Sequence, residues 1–142
     1  MDQQLIAQKL ESLRRCVLRV ESRLPADVQT LSNDPDIQDI VVLNLTRAVQ
    51  LCVDIASHII ADSPEAAPAT MGESFSILEK LNIIDEGTAT SMKKAVGFRN
   101  VAVHDYDEID WAIVFAIGTK HLLVFRRSAR QVMQASDNSG LL

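Results

Sequence analysis

A chain of 142 residues, 47% of them hydrophobic, is one domain's worth of sequence and long enough to bury a core of its own. Its 14 basic and 19 acidic residues leave a net charge of −5, which argues against nonspecific coating of nucleic acid but not against a local basic site. No uninterrupted apolar run approaches the ~20 residues of a membrane span.

The start "MDQQLIAQKL" lacks the basic and apolar blocks of a secretory signal. Cys16 and Cys52 fall inside helical patterns and read as reduced, buried thiols rather than a disulfide framework. Together these features predict a cytoplasmic protein.

In chain order, apolar residues at Leu5, Ile6, Leu10, Leu13, Val17, Val20 and Leu24 keep helical spacing, and Pro25 ends the run. "SNDPDIQDIVVLNLTRAVQLCVDIASHIIAD" predicts the longest helix. Asn33 or Asp34 can cap it, Pro35 suits its first turn, and Asp36 and Asp39 complement its dipole. The stripe Ile37, Ile40, Val41, Leu45, Ala48, Cys52, Ile55, Ala56, Ile59 makes it the spine of a bundle, roughly 40 Å long. "SPEAAPATMGE" reads as a loop and "SFSILEKLN" as a short helix. A further helix covers Asp85 to Val103 despite Gly97 inside it.

The last long helix begins after the acidic turn "DYDEID", where Asp107 can cap, and runs through "WAIVFAIGTKHLLVFRRSARQVM". The tail "ASDNSGLL" is expected to fray. No segment alternates as a half-buried strand would. The expected fold is all-α, an antiparallel four- to five-helix bundle, with one domain over residues 1–134 and a flexible tail over 135–142.

Positive charge clusters at Arg15, Arg19 and Arg23, and again at Arg126, Arg127 and Arg130; solvated helix faces account for both sets. The unusual stretch is "GFRNVAVHDYDEID", which packs Arg99, Asn100, His104 and Tyr106 into eight residues where the fourth helix turns into the fifth. Asn100 and His104 share a helix face, whereas Arg99 and His104, five apart, diverge by roughly 140°. Either the helix unwinds near His104, or two copies of the motif meet across a dimer and place two arginines and two histidines in one cleft.

These groups suit RNA cleavage by attack of the 2′-hydroxyl on the adjacent phosphate. Histidine can act as base for that hydroxyl or as acid for the departing 5′-oxygen. Arginine offers a permanently charged fork that matches phosphate oxygens. Asn100 can orient the imidazole or bond a phosphate oxygen. No metal is demanded, and no dense carboxylate–histidine cluster is present to hold one.

"RNVAVHDY" matches the Arg-x4-His-x-Tyr motif of the HepT-like toxins, a branch of the HEPN domains. "DIVVLNLTRAVQLCVDIASHI" resembles that family's central helix, and "SFSILEKLNIID" its segment before the motif helix, so the resemblance spans roughly Leu5 to Val132. It implies a homodimeric bundle acting as a metal-independent ribonuclease in a cleft between protomers, with transfer RNA as the expected substrate. Arg99 and His104 would then be the catalytic pair, with Asn100 the polar residue beside the arginine. The implied partner is an MntA-like nucleotidyltransferase antitoxin that transfers AMP from ATP to Tyr106 and silences the toxin. The chain itself would need no cofactor, and neither membrane nor DNA is expected among its partners.

His58 and His121 have no partners at a catalytic spacing and read as structural, and Trp111 reads as an anchor for the last helix. Taken alone, Arg99 could be a helix-end ion pair, His104 a C-terminal cap and Tyr106 a packed ring with a wet hydroxyl. The other class of function is a noncatalytic helical module that binds a minimal nucleotidyltransferase and presents its substrate.

Overall fold

The computed structural model describes residues 2–138, with side chains through Asp137, and all regular structure in that span is helical. Helix α1 (Gln3–Arg23) begins where the Asp2 carboxylate accepts the Leu5 N–H at 3.0 Å, and it buries Ile6, Leu13, Cys16, Val17 and Val20. α2 (Val28–Asn33), not anticipated from the sequence, is a single short segment capped by Asp27, whose carboxylate accepts from both Thr30 N and Thr30 Oγ1 at 2.8 Å. Only Leu31 of α2 is buried. One buried residue in six gives periodicity nothing to detect.

α3 (Pro35–Ala61) is the expected spine, with Asp34 as its cap and Pro35 in its first turn. By length and composition it is apolar enough to cross a bilayer, yet 56% of its most apolar stretch is buried in the bundle, as suits a core helix. α1 packs along α3 in the most extensive helix pair of the molecule, and α4, α5 and α7 also contact α3.

α4 (Met71–Lys80) starts three residues earlier than the sequence suggests, because the Thr70 hydroxyl accepts the Glu73 N–H and fixes the helix entry inside the expected loop. At its end Asn82 adopts φ 60°, the Ile83 N–H reaches the Leu78 carbonyl at 2.9 Å, and the Asn82 N–H reaches Glu79 at 2.9 Å. This paired reversal reuses two carbonyls the helix end would otherwise leave bare. It turns the chain directly into α5 (Glu86–His104), capped by the Asp85 carboxylate at 2.7 Å from the Thr88 N–H.

A 3₁₀ turn (Tyr106–Glu108) follows α5, and α6 (Trp111–Ala116) then begins under Asp110, whose carboxylate accepts the Ala112 N–H at 2.9 Å. The expected cap, Asp107, lies inside the 3₁₀ turn instead, because the chain needs three more residues to reverse direction. α6 continues through a π turn (Ile117–His121) into α7 (Leu122–Asn138). Val114 and Leu122, both buried, are eight residues apart and would diverge by roughly 80° in a regular α-helix. The wider π turn absorbs one residue and brings the two back onto the core side. Gly118 lets this turn cross the end of α1 closely, since a Cβ there would lie 2.7 Å from Leu24 Cδ2.

α7 carries the helix past the expected domain end at residue 134, with Ser136 buried, so the start of the expected tail is helical. Its remaining residues, 139–142, lie outside the described span. The five long rods are α1, α3, α4, α5 and the α6–α7 composite, in keeping with the expected bundle of four to five helices. Their shared core includes Val20, Leu31, Val41, Leu45, Phe75, Met92, Val114 and Phe125.

Candidate active site

The motif stretch occupies the last turns of α5 and the 3₁₀ turn after it. α5 stays helical through His104 and is capped at Asp105, whose N–H reaches the Val101 carbonyl at 2.8 Å. The helix does not unwind at His104, so Arg99 and His104 remain on different flanks of it. Asn100 and His104 share one face with Gly97 and Lys93, at spacings of three and four residues. All four are exposed. A Cβ at Gly97 would meet nothing within 4 Å, so that face is open.

Arg99 lies half-buried on the other flank, against α3. Its guanidinium donates to Gln50 Oε1 and to Asn100 Oδ1, both at a long 3.4 Å. Gln50 donates in turn to Asp54 at 2.9 Å, and Asp54 pairs with Lys9 of α1 at 3.5 Å. A polar strip therefore links α1, α3 and α5. Among the described residues Arg99 has no carboxylate at ion-pair distance. Its direct partners are neutral amides, which steer the guanidinium without cancelling its charge. His104 makes no hydrogen bond or ion pair to another described residue.

Tyr106 is 38% exposed, and its hydroxyl donates to Asp39 Oδ1 at 2.6 Å. Its ring meets Trp111 edge-on at 6.1 Å between centroids. Partial burial, the hydrogen bond to Asp39 and that residue's negative charge push the phenol well above its usual range. Asp39 thus does more than complement a dipole: it ties the 3₁₀ turn to α3. Beside these groups stand two exposed apolar residues, Leu43 of α3 (49% exposed) and Val103 of α5 (51%). Asp39, Leu43, Gln50 and Asp54 fall on one face of α3.

Residues 11–132 match the family model described as Ribonuclease HepT-like, a span that contains the whole motif. This chain belongs to the HepT-like ribonuclease family. It is 35% identical over 123 residues to the mRNA nuclease HepT of Shewanella oneidensis, covering 87% of this chain and 92% of that protein. A toxin–antitoxin crystal structure with AMP-PNP superposes with TM-score 0.87 at 32% identity, covering 92% of this chain and 98% of that one. The tri-AMPylated Shewanella oneidensis HEPN toxin in complex with MNT antitoxin superposes with TM-score 0.86 at 33% identity, covering 94% and 99% of the respective chains.

Within this HepT-like bundle the four sequence-selected residues lie at one end of α5, on different sides of it. Arg99 turns toward α3 with the Asn100 amide at its edge, His104 lies on the other flank of α5, and Tyr106 lies against Asp39. A groove of ≈530 Å³ between α5 and α6–α7, lined by Phe98, Val101, Ile113, Ile117 and Val124, contains none of the four. Sequence reasoning missed Gln50, Asp54 and the Asp39 contact. Gln50 is 49 residues from Arg99 and Asp39 is 67 from Tyr106, separations that no local pattern reports.

His58 is partly buried on α3 and His121 is exposed in the π turn, both away from the motif residues. Among the described residues no group of three or more His, Cys, Asp or Glu is arranged to hold a metal ion. In the basic clusters, Arg15 approaches Glu11 at 4.0 Å, Arg126 pairs with Glu21, and Arg127 lends charge to Asp85. They are helix-surface charges, as their spacing suggested.

Proposed function

We propose that this chain is the ribonuclease toxin of a toxin–antitoxin pair in the cytoplasm, cutting RNA without a metal in a cleft between two copies. The observation that carries this reading is the pairing of an un-neutralised guanidinium with a free, exposed imidazole at one helix end, in a HepT-like chain. Because α5 sets Arg99 and His104 on different flanks, one protomer cannot direct both at a single phosphate. Two copies meeting at their α5 ends supply the set. His104 of one copy takes the 2′-hydroxyl proton and His104 of the other protonates the leaving 5′-oxygen. Arg99 stabilises the charge gathering on phosphorus, and Asn100 holds a phosphate oxygen or the imidazole.

The partner in this reading is an MntA-like nucleotidyltransferase that uses ATP and attaches AMP to Tyr106. The tri-AMPylated Shewanella toxin, bound to its MNT antitoxin, supports this. A phosphodiester on Tyr106 would bring negative charge and bulk to the place where an RNA phosphate must dock. Transfer RNA is the target that the family resemblance suggests, while the name of the Shewanella relative favours messenger RNA. Sequencing new RNA ends in cells that express this chain alone decides between them.

The reading is tested with His104→Ala and Arg99→Ala. Each should abolish cleavage, a loss of about a hundredfold or more for the proton-transfer group, while the helical circular dichroism stays unchanged. Cleavage should survive excess chelator and leave 2′,3′-cyclic phosphate and 5′-hydroxyl ends. Activity that vanishes in chelator and returns with a divalent metal refutes the mechanism. Full activity in both alanine variants takes the chemistry away from this pair, and a wild-type chain that cleaves no RNA belongs to the noncatalytic class instead.

A further inference from the structure

We propose that Asp39 is the general base for modification of Tyr106, so that the target protein carries its own catalytic carboxylate. The inference rests on the reading of Tyr106 as an AMP acceptor and adds the residue that makes its hydroxyl reactive. A neutral phenol is a weak nucleophile, and the surroundings of Tyr106 favour the neutral form further. Its ionised fraction at neutral pH is therefore negligible, and transfer needs a base in contact with the oxygen during attack. Asp39 Oδ1 already accepts that proton at 2.6 Å, across 67 residues of sequence. Its position is fixed by α3, whose first turn is locked by Asp34 and Pro35, while the Trp111 ring edge steadies the phenol.

The step balances. The Tyr106 oxygen attacks the α-phosphorus of a nucleoside triphosphate and a new O–P bond forms. The bond from that phosphorus to the oxygen bridging to the β-phosphate breaks, and pyrophosphate leaves with the electron pair. The phenolic proton passes to the Asp39 carboxylate and from there, since Asp39 is exposed, to water. The other titratable groups of the neighbourhood are Asp36 on α3, and His104, Asp105, Asp107, Glu108 and Asp110 around the motif turn. Asp110 is engaged as the cap of α6. Of the carboxylates, Asp39 is the one that bonds the phenol.

The experiment follows AMP incorporation by intact-mass spectrometry, using the full-length chain, its cognate nucleotidyltransferase and ATP, from pH 6 to 9. Asp39→Asn keeps the shape and a hydrogen-bond acceptor but loses the base. It should slow transfer by about a hundredfold or more at pH 7. Its residual rate should climb about tenfold per pH unit as the phenol ionises, while the wild-type rate stays flat. Asp39→Glu should recover part of the lost rate, which a purely structural role for Asp39 does not predict. If AMP lands on Tyr106 in both wild type and Asp39→Asn with the same rate and pH profile, the role of Asp39 is overturned and the Tyr106 reading stands. If Tyr106→Phe is labelled as fully as wild type, the acceptor is another residue and both fall together.

Discussion

Cys52 lies in the middle of α3 with 4% of its surface exposed, and burial, opposed by a hydrogen bond with Ser128, pushes its thiol from the ordinary 9.0 to about 12. Cys16 is shifted upward as well, chiefly by burial. Thiolate is the reactive form, so native protein at pH 8 should consume almost no thiol reagent, and denatured protein should consume two equivalents. A rapid native reaction would contradict the packing. The sign of the linkage follows from the raised folded value: the unfolded thiol releases its proton first, so ionisation favours unfolding. The contribution of Cys52 is complete below pH 9.0 and is lost as pH rises toward about 12. Denaturation midpoints measured across that window should fall. The expectation of reduced, buried thiols was legible because both cysteines fall inside helical patterns.

At the scale of helices, Gly97 is the informative position, because α5 gains nothing from it. Glycine in a helix interior costs about 1 kcal/mol relative to alanine, and a Cβ there meets no neighbour within 4 Å. Gly97→Ala should therefore raise the melting temperature by a few degrees, and an unchanged or lower value would mean that the helix is constrained in some other way. If the open face bearing Asn100 and His104 receives the RNA backbone, the same substitution should reduce cleavage despite the added stability. α1 and α3 were readable because each repeats apolar residues at helical spacing, and α3 also because Asp34 and Pro35 mark its start. α2 was not, since a six-residue helix with one buried side chain has no period to detect. The start of α6 was displaced from Asp107 to Asp110 because an acidic run offers several chemically equivalent caps, and only the geometry of the reversal chooses among them.

For the whole molecule, the exposed Leu43 and Val103 beside Arg99 and Tyr106 mark the face where a second copy would sit. Their burial would give an apolar centre to an interface flanked by the two motifs, with an arginine and a histidine contributed from each side. Light scattering at micromolar concentration should give about twice 15.7 kDa, and Val103→Glu should halve that mass and remove cleavage together. A monomer that cleaves RNA at full rate would sink the shared-cleft mechanism. The motif was legible because four chemically distinctive residues fall within a single stretch of chain. Its supports were not: Gln50 and Asp39 come from a helix far away in sequence and meet the motif only after α3 and α5 have packed, and Asp54 joins through Gln50.

The π turn between α6 and α7 has a consequence for how the chain tolerates changes of length. It holds one residue more than the two helix faces need, so the buried series through Val114, Leu122, Phe125 and Val132 would keep its alignment if an exposed residue such as Lys120 were lost and the turn became ordinary α-helix. The same loss in the middle of α3, which has no such slack, would rotate every buried residue beyond it by roughly 100° and turn the core side outward. Length variation among related chains should therefore collect at residues 117–121 and in the loops, and be absent from the spine.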